Sequence, residues 1–422
     1  MIHVTLLFFY LVIDKFVENW VKNVIIIMLE RRDSLKFIEL TKEEFKKIED
    51  KMPGSTYYQT VYWANIKAPN GWKAYYVGVK DNDDIIGASL LLARKIFLGQ
   101  KIFYAPRGLL MDYDNLELLD FFVNNIKSFV KKRNGFFFKM DPLVEYKHHN
   151  SAGEVIDDGF SNEKLHEHLI KLGFKHKGFR TGYVDDLQYR WSYAIDIGNK
   201  SYEQVFESFS SKGRGHIRKA CKYPLVMEDV NEENIKDFKA ITEHTAERHN
   251  HFDRTLEYYK MLIDNFRVED RIKVFVLYLD KKKYLEEFKS DKLYDEISKE
   301  ERDMIPISCA MFIMDKDTVN YVYSGSFSKY NYFNAQYMIQ NEMIKYAVSK
   351  GYKVYDFGGI SGNFEMGTPD YGVYAFKKNF NGRVIEYIGE YDLVINSVLY
   401  FMYKNGYTLY RNSKKIFSRF KR

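Results

Sequence analysis

The stretch SSKGRGHIRKACK, residues 210–222, carries six cationic or potentially cationic side chains and no acid. Wound as a helix, it sets Arg214, Arg218 and Lys222 four residues apart on one face and turns Ile217, Ala220 and Cys221 inward on another. Ser210 and Ser211 supply an N-cap, and a helix start with open N–H groups beside several cations suits a phosphate. A solvated basic surface is the competing reading. In YYQTVYWANIK (57–67), Trp63 and Lys67 share a helix face, which lets the lysine reach a cleft; the alternative is a core tryptophan under a solvent-facing lysine. YGVYAFKKNFNG (371–382) places Phe376 beside Lys377 and Lys378. Such an aromatic can stack a base while the lysines meet a phosphate of a single-stranded RNA end, unless Phe376 is core and the lysines are surface. YAPRGLLMD (104–112) offers Arg107 as a further positive charge in a turn forced by Pro106 and Gly108. Its Asp112 is an acid able to take a proton, or a helix cap.

Other chemistries lack their residues. The ten histidines form no HExxH spacing, and Cys221 and Cys309 stand far apart, so neither a metal site nor a disulfide framework is expected. A reducing cytoplasm fits that cysteine usage. No GxSxG motif and no cysteine nucleophile context occur. DFGG (356–359) comes without an HRD loop or a glycine-rich phosphate loop, and reads as a strand-end turn. No cofactor is called for. The net charge of +6, from 64 basic and 58 acidic residues, is too small for a bulk polyelectrolyte binder, so any anion site is a local patch.

Positioning these groups falls to a plan that occurs twice. AYYVGVK, the turn DNDD, IIGASLLLARKIF and KIFYAPRG precede the helical run NLELLDFFVNNIKSFVKKRN and the strand GFFFKMDP. IKVFVLYLD, IPISCAMFIM, TVNYVYSGSF, NAQYMIQNEMIKYAVSKG and YKVYDFGG repeat the order. Continuous or alternating runs of Val, Ile, Phe and Tyr predict the strands, and Leu119, Phe122, Ile126 and Phe129 predict a helix face. The expected fold is α/β (α+β): two tandem GNAT-like domains with mixed sheets flanked by helices, by analogy of strand order. Neither copy carries the glycine-rich pyrophosphate loop of acetyl-CoA enzymes. Residues 281–304, dense in mixed charge, predict one or two exposed helices as an insertion. Residues 4–13, VTLLFFYLVI, are too short to span a membrane; either translation starts at Met28 or this is an amphipathic membrane-touching helix. The basic tail 411–422 reads as a frayed end or a contact to lipid or RNA.

Five blocks in order, YYQTVYWANIK, YAPRGLLMD, SSKGRGHIRKA, NAQYMIQNEMIKYAVSKGYKVYDFGG and YGVYAFKKNFNGRVIEYIGEYDL, resemble the FemABX peptidoglycan-bridge aminoacyltransferases over about residues 36–395. The resemblance implies transfer of an amino acid from aminoacyl-tRNA to the stem-peptide amine of UDP-MurNAc-pentapeptide or lipid II. It implies that Lys67 and Arg214, from two domain copies, hold the acceptor's diphosphate. Trp63, Arg107, Arg218, Tyr258 and Tyr259 would complete that substrate site. Phe376, Lys377 and Lys378 would meet the tRNA acceptor end, with Lys377 stabilising negative charge near the ester or ribose. Asp112, or an oxygen of the substrate, would take the proton. The domains implied are 36–190, completed by 390–422, and 191–389, after an N-terminal extension 1–35. A cytoplasmic protein, with peripheral membrane contact as an added option, follows from these partners. The rival readings are an acyl-CoA-dependent GNAT-type N-acyltransferase and a non-catalytic RNA- or membrane-binding protein.

Overall fold

The computed structural model describes residues 34–183, 188–249, 251–368 and 370–406. The expectations for residues 1–27 and for the tail 411–422 lie outside the described residues. The N-terminal half runs β1 (Leu35–Leu40), α1 (Lys42–Ile48), α2 (Val61–Lys67), β2 (Trp72–Asp81), β3 (Asp84–Lys95) and β4 (Lys101–Ala105). It continues with α3 (Leu116–Lys132), β5 (Gly135–Met140), β6 (Glu145–His148), α4 (Glu163–Lys171) and β7 (Phe174–His176). Next come β8 (Trp191–Asp196), α5 (Tyr202–Ser208), α6 (Ser211–Ala220), β9 (Leu225–Asp229), α7 (Ile235–Arg248) and α8 (Leu256–Arg267). Then follow β10 (Ile272–Asp280), α9 (Lys281–Glu287), α10 (Tyr294–Ser298), β11 (Met304–Met314) and β12 (Thr318–Ser326). The last elements are α11 (Ala335–Ser349), β13 (Val354–Ile360), α12 (Tyr371–Lys378), β14 (Arg383–Tyr387) and β15 (Tyr391–Val394).

The repeated plan is present in both halves: β2-β3-β4-α3-β5 and β10-β11-β12-α11-β13. In each, the first three strands are antiparallel and the strand after the helix runs parallel to the third. The first sheet has the order β1-β2-β3-β4-β5-β15-β7 and the second β6-β14-β8-β13-β12-β11-β10-β9. The chain thus crosses between sheets in both directions, β6 joining the second and β15 returning to the first. Local signals explain the elements. Asn115 caps α3, and Leu118, Leu119, Phe122, Val123, Ile126, Phe129 and Val130 all bury at three-four spacing.

The central strands of the second sheet are covered on both faces, which is why they read as continuous apolar runs. Along β10, Phe275, Leu277 and Leu279 face one core, with Ile217 and Ala220 of α6. Val274, Val276 and Tyr278 face the other, with Trp63, Ala64 and Ile66 of α2. That second core joins the two halves, since it also holds Leu90 and Leu92 of β3 and Leu262, Ile263 and Phe266 of α8. The insertion forms two short helices, as expected, but it is anchored: Tyr284, Leu293 and Ile297 are buried in the first of these cores. The hydroxyls of Tyr223 and Tyr284 both donate to Asp291, at 2.9 and 2.7 Å. No helix among the described residues is long and apolar enough to cross a membrane.

Candidate active site

A cleft of about 250 Å³ opens where the halves meet. Tyr57, Tyr58 and Trp63 line it from the N-terminal half, and Leu262, Ile313 and residues 320–323 from the other. The aromatic wall is close packed, with Tyr57 and Tyr58 stacked at 4.1 Å and Trp63 edge-on to Tyr58 at 4.7 Å. Its backbone is held by Gln59, whose buried side chain takes the Leu90 N–H at 2.7 Å and donates to the Pro106 carbonyl at 2.8 Å. The buried Trp63 Nε1–H finds no acceptor among the described residues. A donor left so in a cleft wall is a place for a ligand oxygen.

Lys67 lies behind the lining residues of this wall, its ammonium 4.4 Å from the centre of the Trp63 ring. Burial, and next the charge of Arg254, lower its pKa from the ordinary lysine value to about 8. Arg254 precedes Thr255, the N-cap of α8, and lies 5.3 Å over the Tyr258 ring. Among the described residues neither cation has a carboxylate partner. Two neighbouring cations without a carboxylate partner, beside an aromatic wall, have the chemistry that a diphosphate would need.

Arg214 does not join this seat. Its guanidinium donates to the Glu207 carbonyl at 2.7 Å and to that of Phe209, closing the C-terminal end of α5. Moreover α6 packs on the opposite face of the second sheet from α2, so the sheet stands between Arg214 and Lys67. The structure therefore does not bring Lys67 and Arg214 together, and the cation near Lys67 is Arg254, which the sequence reading did not single out. Nothing in HNHFDRTLEYY marks that arginine beyond a charge before a capping threonine. Arg218 lies with Arg214 on α6, exposed, 5.8 Å from the Phe206 ring. Ser210 is the N-cap of α6, accepting from the Gly213 N–H, but Cys221 is exposed at its end and not turned inward. Gly213 is required there: a Cβ would come within 2.3 Å of the Asn379 carbonyl oxygen.

The floor of the cleft is the DFGG turn. β12 and β13 pair only over Thr318–Asn320 with Val354–Asp356 and then part, leaving a gap in the sheet. Asp356, Gly358 and Gly359 line the cleft at this gap. Asp356 accepts from the Ser192 hydroxyl at 2.6 Å and the Gly358 N–H at 2.7 Å. From α12 the buried Lys377 ammonium donates to the carbonyls of Gly358 and Gly359, at 2.9 and 2.7 Å. Desolvation lowers the Lys377 pKa to about 7, against the opposing pull of Asp356. This strand-end turn thus also forms the seat of a titratable amine.

The remaining candidates are spread around this centre. Arg107 is buried, its backbone in the left-handed region at φ 53°. Its guanidinium lies 3.5 Å from Asp141 and 4.4 Å over the Tyr189 ring, so its charge is met inside the protein and supports the cleft wall from behind. Asp112 is exposed and accepts the Asp114 N–H at 3.0 Å, a turn before Asn115 caps α3. Tyr258 is half-buried beside Tyr323 of the cleft, whereas Tyr259 is buried with its hydroxyl on Asp253 at 2.6 Å. Phe376 packs edge-on against Tyr337 at 4.9 Å, and Lys378 is exposed on α12.

Comparison with known proteins matches the FemAB family model to residues 40–296 and 291–408. Aminoacyltransferase FemA of Staphylococcus epidermidis is 29% identical over 425 residues, covering 90% of this chain and 100% of that protein. Aminoacyltransferase FemA of Staphylococcus aureus is 29% identical over 412 residues, with 87% and 97% covered. The crystal structure of FemX superposes with a TM-score of 0.73 at 25% identity, covering 87% of this chain and 99% of that one. With the paired mixed sheets, the junction cleft and matches along nearly the whole sequence in agreement, this chain belongs to the FemAB family.

Proposed function

We propose that the protein, an aminoacyltransferase of the FemAB family, joins an amino acid carried on tRNA to the stem-peptide amine of a peptidoglycan precursor, building the interpeptide bridge. The observation that supports this reading is the gap between β12 and β13, with the cations Lys67 and Arg254 on one face of the sheet and the basic surface of α6 on the other. Lys67 and Arg254 would hold the acceptor's diphosphate on the junction face. A UDP-linked pentapeptide and lipid II share that group, and both are made inside the cell, where charged tRNA also resides.

The other face suits the tRNA. There α6 presents Lys212 and Arg218 to solvent, and α12, tied to it where Ser210 donates to the Asn379 carbonyl, adds Lys378. Exposed cations without a deep pocket match a phosphate backbone. The charge of the GRGHIRKA helix therefore serves the tRNA arm in this reading, with Arg214 fixing α5 beneath it. The ester would enter the gap beside Lys377. As an ammonium, Lys377 spends two N–H groups on the glycine carbonyls and keeps a third for the developing oxyanion.

An aminoacyl ester is already activated, so the remaining demand is a neutral amine. A lysine-like amine of pKa about 10.4 is short of its neutral form by roughly 4.6 kcal/mol at pH 7. Holding amine and ester in contact supplies about 7 to 11 kcal/mol, which covers it. Since Asp112 is exposed and engaged in its own turn, an oxygen of the substrate is the better proton acceptor. The test is to incubate the protein with charged tRNA and UDP-MurNAc-pentapeptide and follow the acceptor's mass. A gain of one aminoacyl unit that RNase abolishes supports the reading. A gain that needs acetyl-CoA instead would overturn it.

A further inference from the structure

Five large apolar side chains stand in solvent beside the first sheet. Ile96 and Leu98, 37% and 93% exposed, lie at the β3–β4 hairpin, and Val398, Phe401 and Met402, 66%, 69% and 55% exposed, lie on a helical run at residues 397–406. Positions 398, 401 and 402 form one helix face. The opposite face, Leu399, Tyr400 and Tyr403, packs on Ile102, Phe136 and Phe137. Phe97, between the two exposed hairpin residues, joins the same cluster: its ring is 5.9 Å from Phe136, which is 5.7 Å from Tyr403. Hairpin and helix are therefore neighbours, and their exposed residues border one patch. Isolated exposed apolar residues are ordinary, but a contiguous group marks a contact surface.

The surroundings are cationic. Arg94, Lys95, Lys101 and Lys175 adjoin the patch, and none pairs with a carboxylate among the described residues. From Leu393 to Arg422 the sequence has seven Lys or Arg and no Asp or Glu. We propose that this patch seats the protein on an anionic lipid bilayer, the apolar side chains entering the headgroup boundary and the cations meeting the headgroups. A nucleic-acid backbone would match the cations but leave Leu98 and Phe401 in water. A second copy of the chain would cover the apolar residues but set like charges against each other. Trp72 packs against both this cluster and the junction core, so the helical run and α2, which ends at Lys67, cover the same face of the first sheet. Where the acceptor reading above holds, the diphosphate seat would open on the side that meets the membrane, as a lipid-linked acceptor needs.

The test is cosedimentation of the full chain with vesicles of phosphatidylcholine alone or mixed with phosphatidylglycerol. Partition is expected on the anionic vesicles, to fall with added salt, and to drop about tenfold or more in the double variant Leu98→Glu, Phe401→Glu. The variant Lys95→Gln, Lys175→Gln should lose the preference for anionic lipid. All four positions are exposed and outside the cleft, so transfer to a UDP-linked acceptor should be unchanged, which also verifies folding. Absence of partition in the parent protein, or equal partition in the Leu98→Glu, Phe401→Glu variant, overturns the proposal. So does a concentration-dependent dimer that this variant dissolves. Because vesicle binding is read without any transfer reaction, failure of the aminoacyl reading and failure of the membrane surface are told apart.

Discussion

Two lysines of depressed pKa govern the residue scale, and they predict different pH limbs. Lys377, brought down to about 7 by desolvation, is charged below that value and loses its third N–H as pH rises through it. Turnover with tRNA should therefore fall above pH 7, and Lys377→Met should remove that limb and lower kcat about 100-fold or more. A wild-type profile flat through this range would contradict an ammonium role. Lys67, at about 8, would act on the acceptor instead in the reading proposed above. It loses its charge above pH 8, so the KM for the UDP-linked acceptor should rise there while kcat is little changed. Trp63, Lys67 and Lys377 could be singled out from the sequence because a motif surrounds each. Arg254 could not, nor could the placement of Arg214 away from Lys67, because sequence spacing does not tell which face of a sheet a helix will cover. That is decided by the alternation of β10 and β11 against their two cores.

Helices α6 and α12 carry the prediction at the scale of elements. Replacing Lys212 and Arg218 on α6 by alanine should weaken aminoacyl-tRNA and flatten the salt dependence of its KM by roughly one contact each. Acceptor KM should not move. Steady-state kinetics at two or more ionic strengths read both; an acceptor defect would return the basic helix to the role the sequence suggested. The elements themselves were largely legible. Three-four spacing marked α3, continuous apolar runs marked the paired strands, and Ser210 announced the start of α6. The insertion was legible as helices but not as packed ones. Its Tyr284, Leu293 and Ile297 pack into a core drawn from distant segments, and its Asp291 also accepts from the hydroxyl of Tyr223, 68 residues away.

For the whole molecule, the decisive feature is a core that belongs to both halves. Leu90 and Leu92 of the first sheet share it with Val274, Val276 and Ile313 of the second, and β6 and β15 exchange sheets. The halves should therefore unfold together, as one calorimetric transition whose van't Hoff and calorimetric enthalpies agree. Two separated transitions would show that the junction is a mere contact between independent domains. A repeat of strand order is visible in one sequence, and the family resemblance implied that the segment after 390 completes the first domain, but the crossing of β6 to the second sheet was not read, because β6 is short and pairs with a strand far away in the chain. In the proposed reading, this shared junction is what would hold Lys67 and Arg254 in place for a diphosphate. The most direct measurement is the initial rate of amino-acid transfer against acceptor concentration, with charged tRNA saturating, for the wild type and for Arg254→Ala and Arg214→Ala. The expected result is an acceptor KM raised about tenfold or more in Arg254→Ala and unchanged in Arg214→Ala. A raised KM in Arg214→Ala with none in Arg254→Ala would contradict the seat and the two-faced site built on it.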